Sequence, residues 1–598
     1  MAQINAQDNA QSIDLANLKQ TLTPWDPNAP NQLWAIVDMG SNGIRFSITS
    51  LAAPTTRLLK PVYTDRAAIS LFDRLVEGPP GVFTFPQETI DLVATTLAHF
   101  KQIALDYGVP VEQIMVLATE AMRKANNAGP MLEAIKKAAP GLTVSILEGT
   151  VETLCGAVMG SRSGLVNVDG GALFLDLGGG SVQMTWVDTT LPDYEFVAAK
   201  AGKSLPFGAA RLMKILGDKT PEGEVARVKD LDDLHKGVGG IYENLCNQFP
   251  ALAAIKKAHE AKDKNAKVNV YMCGGGFRGY GSMLMHNDPT HPYPIASTNA
   301  YTAPGELFMD VEKMRKVNEK EKGRIFGMSK RRREQFPAIA TVIEAFIKAV
   351  PNIGDVTFCG GSNKQGALMM KLPLELRESN PLDVLAVPSE AEKPVLDAVL
   401  QLIQQSIPQD VDFSKTPTVL TEGLAPLFVK DIWSRTGYDG DSNTAFALND
   451  AILRDPEAPG LTHLGRSILA LTASARWAGN LGPLDANLFD GVTSIVQNKS
   501  DDAPFWAGYI GAVAYIIATA LPAFPKSAQE VAKAIRISSH LKVAEDKKDK
   551  IVIAVGISPN YGKGLDLTDL IDVIEGVAKK RGGKKPNFKV SAEINLLS

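Results

Sequence analysis

The stretch "ALFLDLGGGSVQMTWV", residues 172–187, passes from apolar residues into Asp176, three glycines and Ser181, and then returns to apolar residues. Three successive residues without a Cβ let the backbone turn sharply and direct several N–H groups to one point, which makes a nest for an anion. Phosphate is the expected anion, and Asp176 beside it would require a bridging cation such as Mg²⁺ or a held water. A plain tight hairpin is the alternative, because Gly-rich turns are common.

A second stretch repeats this pattern. In "WAIVDMGSNGIRFSI", residues 34–48, a strand pattern leads into Asp38, Gly40 and Ser41 and then into another strand pattern. Two β-hairpins whose tips each offer Asp, Gly and Ser can clamp one phosphate chain between two lobes. We therefore predict an α/β protein with a two-lobed actin-like (ASKHA, ribonuclease H-like) phosphotransfer fold, whose interlobe cleft holds the ligand.

Five ordered motifs carry a family resemblance. They are "DMGSNG" at 38–43, "ATEAMRKANN" at 118–127, "EGTVET" at 148–153, "DLGGGSVQ" at 176–183 and "SLPFGAAR" at 204–211. With them, the first 370 or so residues resemble the exopolyphosphatase and guanosine pentaphosphate phosphatase (Ppx/GppA) family. "CGGGFRGYG" at 273–281 and "CGGSNKQGAL" at 359–368 more loosely resemble its second-lobe glycine turns. The C-terminal extension and the form of the two hairpins most resemble the fungal retrograde regulation branch, which signals from mitochondria to the nucleus.

The resemblance implies that a glutamate acts as general base on a water attacking the terminal phosphate. That glutamate is Glu152, in the first turn of a helix started by "EGT", where the helix dipole favours the ionised form. An exposed glutamate at a helix start is the alternative. The other implied catalytic residues are Asp176 and Arg123, and Mg²⁺ is the implied cofactor, with Asp38 and Asp176 as its candidate ligands.

The resemblance also implies a set of phosphate-binding residues. A guanidinium suits phosphate oxygens, so Arg123 and Arg211 are candidate clamps. Backbone amides and short polar side chains supply the other donors, while Asn127 is expected to fix its loop. The phosphate-binding set comprises Ser41, Asn42, Gly178, Gly179, Gly180, Ser181 and Arg211.

Three positions depart from the family pattern. Gln183 stands where enzymatic members carry a second glutamate, Val151 replaces the acid before Glu152, and Gly43 replaces a serine. An amide cannot accept a proton from water, although it can hydrogen-bond one. The phosphate turns are therefore kept while the acids are fewer, a pattern that fits a sensor and a slow hydrolase alike.

Composition indicates the broad class. A length of 598 residues predicts three or four domains, and a net charge of −4 argues against nucleic-acid binding by the whole chain. The basic run "SKRRRE" at 329–334 is read as a solvated helix start, with polyphosphate binding or a nuclear signal as alternatives. Four scattered cysteines indicate a reducing, cytoplasmic location. Residues 1–30 are polar and are predicted to form a flexible or loosely docked arm.

The predicted domains follow from these patterns. After the arm, lobe I covers 31–165, lobe II 166–375, a degenerate HD-like helical domain 385–545, and a small α/β domain 550–598. The helical domain resembles metal-dependent HD phosphohydrolases, but "ARWAGNLG" at 475–482 lacks their His-Asp pair. The uncharged segment 503–525 is long enough to cross a bilayer, yet its Pro522 and many small residues favour a buried core helix. "KKRGGKKP" at 579–586 is read as an exposed basic turn.

Two functions remain open. The favoured hypothesis is a sensor in retrograde signalling that binds ATP, guanosine tetra- or pentaphosphate, or polyphosphate in the cleft, with slow Mg²⁺-dependent hydrolysis through Glu152. The alternative is a fully active exopolyphosphatase or guanosine pentaphosphate phosphohydrolase. A regulatory signalling protein is the expected partner, a homodimer is left open, and neither a membrane nor direct nucleic-acid binding is expected. A sugar kinase or chaperone-type ATPase explains the two hairpins but not "ATEAMRKANN" or "SLPFGAAR".

Overall fold

The computed structural model describes residues 10–597, apart from 165–167, 387, 415, 436, 438, 544–547 and 580–585. The chain forms two compact units, Met1–Asn287 with Ser297–Pro381, and Asp288–Ala296 with Leu382–Ser598. The length predicts three or four domains, but both lobes lie in the first unit. The predicted lobe boundary at residues 165 and 166 falls outside the described residues.

The first half of the first unit is built on a six-stranded mixed sheet in the order β1-β8-β7-β2-β3-β4. Its strands are β1 (Ala10–Ile13), β2 (Leu33–Gly40), β3 (Gly43–Ser50), β4 (Pro61–Ala67), β7 (Ile114–Ala118) and β8 (Val144–Leu147), while β5 (Val76–Glu77) pairs with β6 (Phe83–Thr84). The helices are α1 (Leu18–Thr21), α2 (Gln87–Asp106), α3 (Glu120–Lys124), α4 (Ala128–Ala138) and α5 (Gly149–Glu152). Helix α5 continues as a π-helix over Thr153–Gly160. Two 3₁₀ turns lie at Thr56–Leu58 and Val111–Gln113.

The second half repeats this plan with the sheet order β11-β10-β9-β12-β14-β13. Its strands are β9 (Ala172–Leu177), β10 (Val182–Val187), β11 (Lys203–Leu205), β12 (Val268–Cys273), β13 (Thr302–Pro304) and β14 (Ile353–Phe358). The helices are α6 (Tyr194–Ala201), α7 (Ala209–Gly217), α8 (Pro221–Gln248), α9 (Pro250–Glu260), α10 (Gly274–His286), α11 (Gly305–Met309), α12 (Val311–Lys320), α13 (Lys330–Ala349), α14 (Asn363–Lys371) and α15 (Leu374–Arg377).

In both sheets an antiparallel hairpin lies beside parallel strands. β2 pairs antiparallel with β3 and parallel with β7, and β9 pairs antiparallel with β10 and parallel with β12. β2 and β9 are buried along almost their whole length, as expected for strands covered on both faces. The predicted two-lobed actin-like fold and both predicted hairpins are confirmed.

The N-terminal segment differs from the predicted arm. Residues 10–13 form β1, which pairs in parallel with β8, and Leu18 and Leu22 are buried. Because an edge strand offers unpaired backbone groups, the segment completes the sheet by supplying partners for β8. The arm prediction is therefore wrong from residue 10 onward, and residues 1–9 lie outside the described residues.

The second unit packs helices and a small sheet around one hydrophobic core. The helices are α16 (Pro381–Ala386), α17 (Lys393–Gln405), α18 (Ala425–Asp431), α19 (Gly440–Leu453), α20 (His463–Ala475), α21 (Pro483–Gln497), α22 (Ala503–Ala520), α23 (Ala528–Ala534), α24 (Pro559–Gly562) and α25 (Leu567–Gly576). The strands are β15 (Ile535–Lys542), β16 (Asp549–Ile557) and β17 (Phe588–Leu596), with β16 central.

The predicted boundary between a helical domain and a small α/β domain is not seen. β15, β16 and β17 contribute buried residues to the same core as α17, α20 and α22, so the two parts form one unit. A three-stranded sheet needs such a packing partner for its apolar face. The last predicted elements themselves, two strands and a helix between them, are confirmed.

Helix α22 carries the long apolar segment. It is the one described helix long and apolar enough to cross a membrane, and 78% of that window is buried inside the structure. Trp506, Ile510, Val513 and Ile517 all lie in the core, which confirms the prediction of a buried core helix. The basic turn at 579–586 lies mostly outside the described residues.

Candidate functional site

The tips of the two hairpins meet in the first unit. They enclose a cavity of about 90 Å³ lined by nine predicted site residues: Asp38, Ser41, Asn42, Glu152, Asp176, Gly178, Gly179, Gly180 and Ser181. A Cβ at Gly179 would come within 3.0 Å of Asn42 Cβ and 3.2 Å of Asn42 N. Glycine at this position is therefore what allows the two tips to touch.

The motif "SLPFGAAR" supports the glycine turn from behind. Ala209 N and Ala210 N, at the start of α7, donate to the carbonyls of Gly178 and Gly179 at 3.0 and 2.9 Å. A Cβ at Gly208 would stand 2.4 Å from the backbone of Gly179, so only glycine fits there. With its carbonyls held by α7, the turn is ordered. Sequence reasoning had no signal for this contact, which joins segments 30 residues apart.

Arg123 binds the predicted base rather than lining the cavity. Its Nη2 donates to Glu152 Oε2 at 2.6 Å and to Glu120 Oε2 at 2.9 Å, and its Nη1 donates to the Leu147 carbonyl. Glu152 is 8% exposed, so the alternative of an exposed helix-start glutamate is wrong. Arg123 is therefore placed to orient Glu152, and the structure does not place it as a phosphate clamp.

The ionisation of Glu152 is governed by burial. Burial raises the pKa of Glu152 to about 7, against the opposing effect of the Arg123 guanidinium. The helix dipole predicts a shift in the other direction, but removal of the carboxylate from water outweighs it. A pKa near neutrality is the value that suits a general base.

Two acids lie at the ends of the central strands. Asp38 is 7% exposed, and burial raises its pKa while Arg45 and Lys364 lower it. Burial also raises the pKa of Asp176 to about 6, opposed most strongly by Arg278. The two carboxyls interact, since Asp38 raises the pKa of Asp176. Protonation of one or a bound cation would relieve this repulsion.

The oxygens at this point fit a magnesium ion. Asp38 Oδ1 and Asn363 Oδ1 are buried and have no hydrogen-bond partner among the described residues. A Cβ at Gly156 would lie 2.7 Å from Asp176 Oδ2 and 2.8 Å from Asn363 Oδ1, so these two oxygens converge on the same glycine. Carboxylate and amide oxygens are ligands that Mg²⁺ accepts, usually with several waters. Within the described part of the chain, no group of three or more His, Cys, Asp or Glu is placed around a metal position, so water or ligand oxygens would complete the shell.

Sequence reasoning missed a group of basic residues around the cavity. We call Arg45, Arg278, Arg332 and Lys364 the cationic ring. Among the described residues none of the four forms an ion pair. Their charges repel one another, since Arg278 lowers the pKa of each of the other three. Burial lowers these three pKa values more strongly than Arg278 does. The pKa of Lys364 falls to about 8 and that of Arg332 to about 10. Asp38 and Asp176 offset part of this charge, but among the described residues no carboxylate lies within ion-pair distance of the four cations, which favours binding of an anion.

One member of the cationic ring had a visible signal. Arg45 interrupts the apolar strand β3 directly after the first turn, and it lies opposite Asp38 on β2 and opposite Arg66 on β4. A charged residue inside a buried strand indicates function. Arg278 lies on α10, where Nη1 donates to the Gly360 carbonyl at 2.8 Å. Only the fold brings Arg278 and Arg332 to the same place as Arg45.

The basic run 329–334 starts a helix, as predicted, but its arginines are not simply solvated. Ser329 caps α13, and Arg331 Nη2 donates to Asn42 Oδ1 at 2.6 Å and to Asp73 at 2.8 Å. Arg332 joins the cationic ring, and Arg333 donates to three backbone carbonyls. The run thus contacts the phosphate hairpin of lobe I, so the helix start was predicted correctly and the solvation of its arginines was not.

Three further predicted residues have clear positions. Gln183 is buried, and its Nε2 donates to Ser181 Oγ at 2.9 Å and to Ser204 Oγ at 3.2 Å, so it holds the turn. Arg211 does not line the cavity; its guanidinium lies 5.4 Å from the Phe207 ring centroid. Asn127 fixes its loop as predicted, through two bonds of 2.8 Å to the Phe85 backbone.

Comparisons with known proteins match the two parts of the chain to two family models. Residues 52–375 match the model of the Ppx/GppA phosphatase family, and residues 380–597 match that of the RTG2 C-terminal domain. The chain is 30% identical over 501 residues to Retrograde regulation protein 2 of Saccharomyces cerevisiae, covering 81% of this chain and 80% of that protein.

Solved structures similar to the chain include two bacterial proteins. An exopolyphosphatase from Cytophaga hutchinsonii is 20% identical, with a TM-score of 0.41, over 57% of this chain and 98% of its own. The type II variant of the Aquifex aeolicus Ppx/GppA phosphatase is 17% identical, with a TM-score of 0.40, over 57% of this chain and 99% of its own.

Proposed function

This chain belongs to the Ppx/GppA phosphatase family, as a retrograde-regulation member, and we propose that its cleft binds the terminal phosphates of a polyphosphorylated ligand to sense that ligand in mitochondria-to-nucleus signalling. The ligands proposed are inorganic polyphosphate, guanosine tetra- or pentaphosphate, and ATP. The observation that carries the proposal is the cationic ring around two touching glycine tips. Its four cations, of which Lys364 is buried and the three arginines are partly buried, form no ion pair among the described residues, so an anion is the group that would stabilise them.

The lining indicates which part of such a ligand is held. Apart from Leu177, every described lining residue is a glycine or carries a polar or charged side chain. A nucleobase requires an apolar or aromatic surface to stack on, whereas a phosphate chain requires N–H donors and cations. The proposal therefore assigns the cleft to phosphates, and any base would lie beyond it.

The same residues support slow hydrolysis. Ionised Glu152 accepts a proton from water, the water oxygen bonds to the terminal phosphorus, and the P–O bond to the rest of the chain breaks, releasing phosphate. Arg123 keeps the carboxylate oriented, and the turn amides and Arg278 stabilise the charge on the phosphate oxygens. Bound Mg²⁺, held by Asp38, Asp176 and Asn363, would neutralise phosphate charge.

Slow turnover follows from Gln183. Its amide is engaged with two serine hydroxyls, so no second carboxylate is available there to orient the attacking water. A fully active exopolyphosphatase or guanosine pentaphosphate phosphohydrolase is the second candidate, favoured by the near-neutral pKa of Glu152. The proposal also includes a cytoplasmic location, where four buried cysteines stay as thiols, and a regulatory signalling protein as partner. A homodimer is the alternative to a complex with such a signalling protein.

The deciding experiment measures release and binding side by side. The purified chain with Mg²⁺ is given polyphosphate, guanosine pentaphosphate or ATP; phosphate release is followed, and binding is measured by calorimetry. Binding with release of well under one phosphate per second, lost in Glu152→Gln, supports a sensor with slow turnover. Fast release supports the second candidate, and absence of binding by all three ligands refutes both.

A further inference from the structure

Arg66 lies against the first phosphate turn, although none of the family-like motifs contains it. It stands on β4 opposite Arg45 on β3, and its Nη2 donates to the Asn42 carbonyl at 3.3 Å. A Cβ at Gly43 would lie 3.1 Å from Arg66 Nε and 3.3 Å from its Nη2. Gly43 itself lines the phosphate cavity. The guanidinium therefore packs against the rim of the cleft, and the glycine at position 43 leaves room for it there.

The guanidinium of Arg66 has no acidic partner among the residues that the structure describes. Arg66 is exposed, and no described carboxylate lies within ion-pair distance of its guanidinium. Asp65 Oδ1 accepts from the backbone N–H of Arg66 at 2.6 Å, but the two side chains lie on opposite faces of β4, since successive residues of a strand alternate. Asp73 is paired with Arg331 at 2.8 Å. The charge of Arg66 is therefore available to a ligand.

Arg66 extends the positive charge of the cationic ring to the surface. Burial lowers the pKa of both Arg45 and Arg332 most strongly, and the charge of Arg66 lowers both further, so the three guanidinium groups repel one another. Arg45 is partly buried and lines the cavity, whereas Arg66 is exposed. An anion beside Arg66 would relieve this repulsion. A phosphate chain leaving the cavity would thus pass from partly buried cations to an exposed one.

We propose that Arg66 is an outer subsite of the cleft, which binds the phosphate next to those held inside the cavity. This role rests on the function proposed above, in which the cavity holds the terminal phosphates of the ligand. A guanidinium offers a rigid fork of N–H donors that matches two phosphate oxygens. A ligand whose phosphates all fit in the cavity gains nothing from this group, whereas a longer phosphate chain does. Arg66 therefore sets the preference of the site for ligands with more phosphates.

Ligands of different chain length test this role. Binding of pyrophosphate and of a size-fractionated linear polyphosphate to the full chain is measured by calorimetry with Mg²⁺ at low salt. Arg66→Gln should lower affinity for the linear polyphosphate about three- to tenfold, a modest factor because water screens an exposed charge. Affinity for pyrophosphate should change less than about twofold. Arg536→Gln, at an exposed position on β15, is the matched control and should leave both affinities unchanged.

A nucleotide tests whether the outer subsite holds a phosphate or a base. ATP and tripolyphosphate carry the same number of phosphates, but the chain of ATP ends in a nucleoside. Arg66→Gln should weaken binding of these two ligands by the same factor. Because a guanidinium can also stack on an aromatic ring, a larger loss for ATP would show that Arg66 contacts the base and would overturn the phosphate subsite.

Position 43 supplies a second test. Gly43→Val should push the guanidinium off the turn, since even a Cβ there would lie 3.1 Å from Arg66 Nε. It should lower the ratio of polyphosphate affinity to pyrophosphate affinity, as Arg66→Gln does, and the double variant should not lower that ratio further. Thermal melting shows whether each variant folds; if Gly43→Val does not, Arg66→Gln and its control still decide.

The possible failures of the two proposals differ. If Arg66→Gln weakens polyphosphate and pyrophosphate equally, or weakens neither, the outer subsite is overturned while the native chain still binds phosphates as proposed. If the native chain binds none of these ligands, the function proposed for the cleft and the outer subsite are refuted together.

Discussion

Glycine has opposite structural roles in the phosphate cleft and in the second-unit cavity, a space of about 780 Å³ bordered by α20, α21, α22 and α25. In the cleft, glycine lets backbones touch: a Cβ at Gly179 would crowd Asn42 at 3.0 Å, and one at Gly208 would clash with the turn at 2.4 Å. In the cavity, glycine leaves space, since a Cβ at Gly508 would meet only Val577, at 3.9 Å. The same residue type therefore marks close contact in one place and open volume in the other.

The two regions also treat charge differently. The cleft buries acids and cations together, which shifts the pKa of Glu152 to about 7 and that of Lys364 to about 8. The described lining of the cavity is apolar inside, and its charged residues are exposed. Buried charges need specific partners. Exposed charges are screened by water and contribute little energy. We expect changes in the cleft to have much larger effects than changes in the cavity.

The largest effect is expected for Glu152→Gln. Removing the base should lower phosphate release about 10²- to 10⁴-fold, while the amide keeps the contact with Arg123 and ligand affinity stays within a few-fold. Rates are measured by phosphate release and affinities by calorimetry. Glu148→Gln, at an exposed position four residues earlier, is the control. Unchanged release in the variant would remove Glu152 as the base.

A valine at Gly179 should abolish phosphate binding. The branched side chain cannot fit against Asn42, so the two tips would separate and affinity for tripolyphosphate should fall at least about 100-fold. The contrasting change is Gly508→Val, which should leave tripolyphosphate affinity unaltered. Equal affinities in these two variants would contradict the assignment of the cleft.

Loss of one cation should weaken binding less. Arg278→Gln removes a charge-assisted donor, worth about 1.5–3 kcal/mol, so affinity should fall about 10- to 150-fold and depend less steeply on salt. Arg227→Gln is the matched control, because Arg227 forms an exposed pair with Glu224 on α8. An equal loss in both variants would indicate a general effect of net charge.

The pH dependence tests the raised pKa of Glu152. Release should increase about tenfold between pH 6 and pH 8, because the carboxyl with a pKa of about 7 becomes ionised over that range. In the unfolded chain the Glu152 carboxyl has a pKa near 4.5, so between pH 4.5 and 7 the folded chain binds a proton that the unfolded chain has lost. The free energy of unfolding should therefore fall as pH rises through this range. A rate that is flat over this range in the native chain would show that another step limits release.

The smallest effect is expected for Gly508→Ala. Alanine is favoured over glycine in a helix interior by about 1 kcal/mol, and its Cβ meets no close neighbour, so the second unit should melt about 2–4 °C higher. Calorimetric melting measures this shift. Gly511→Ala supplies the contrast: its Cβ would lie 2.4 Å from the Thr472 carbonyl, so it should lower the melting temperature.

Local patterns predicted the fold and most of the cleft. An acid, glycines and a hydroxyl between two apolar strands specify a hairpin over a dozen residues, which is why Asp38, Ser41, Asp176 and the glycine turn were found. Arg123 and Arg211 were assigned to phosphate because a guanidinium suits phosphate oxygens. The sequence does not show that Glu152 lies against Arg123 and the Phe207 ring near Arg211.

The sequence by itself determined the two hairpins, the buried helix at 503–520 and the family resemblance, because each depends on residues that are neighbours along the chain. Only the tertiary structure decided the partner of Arg123, the cationic ring and the second cavity. Those features join segments that lie tens to hundreds of residues apart. Their energies come from burial and from distances between charges, which exist only once the chain has folded.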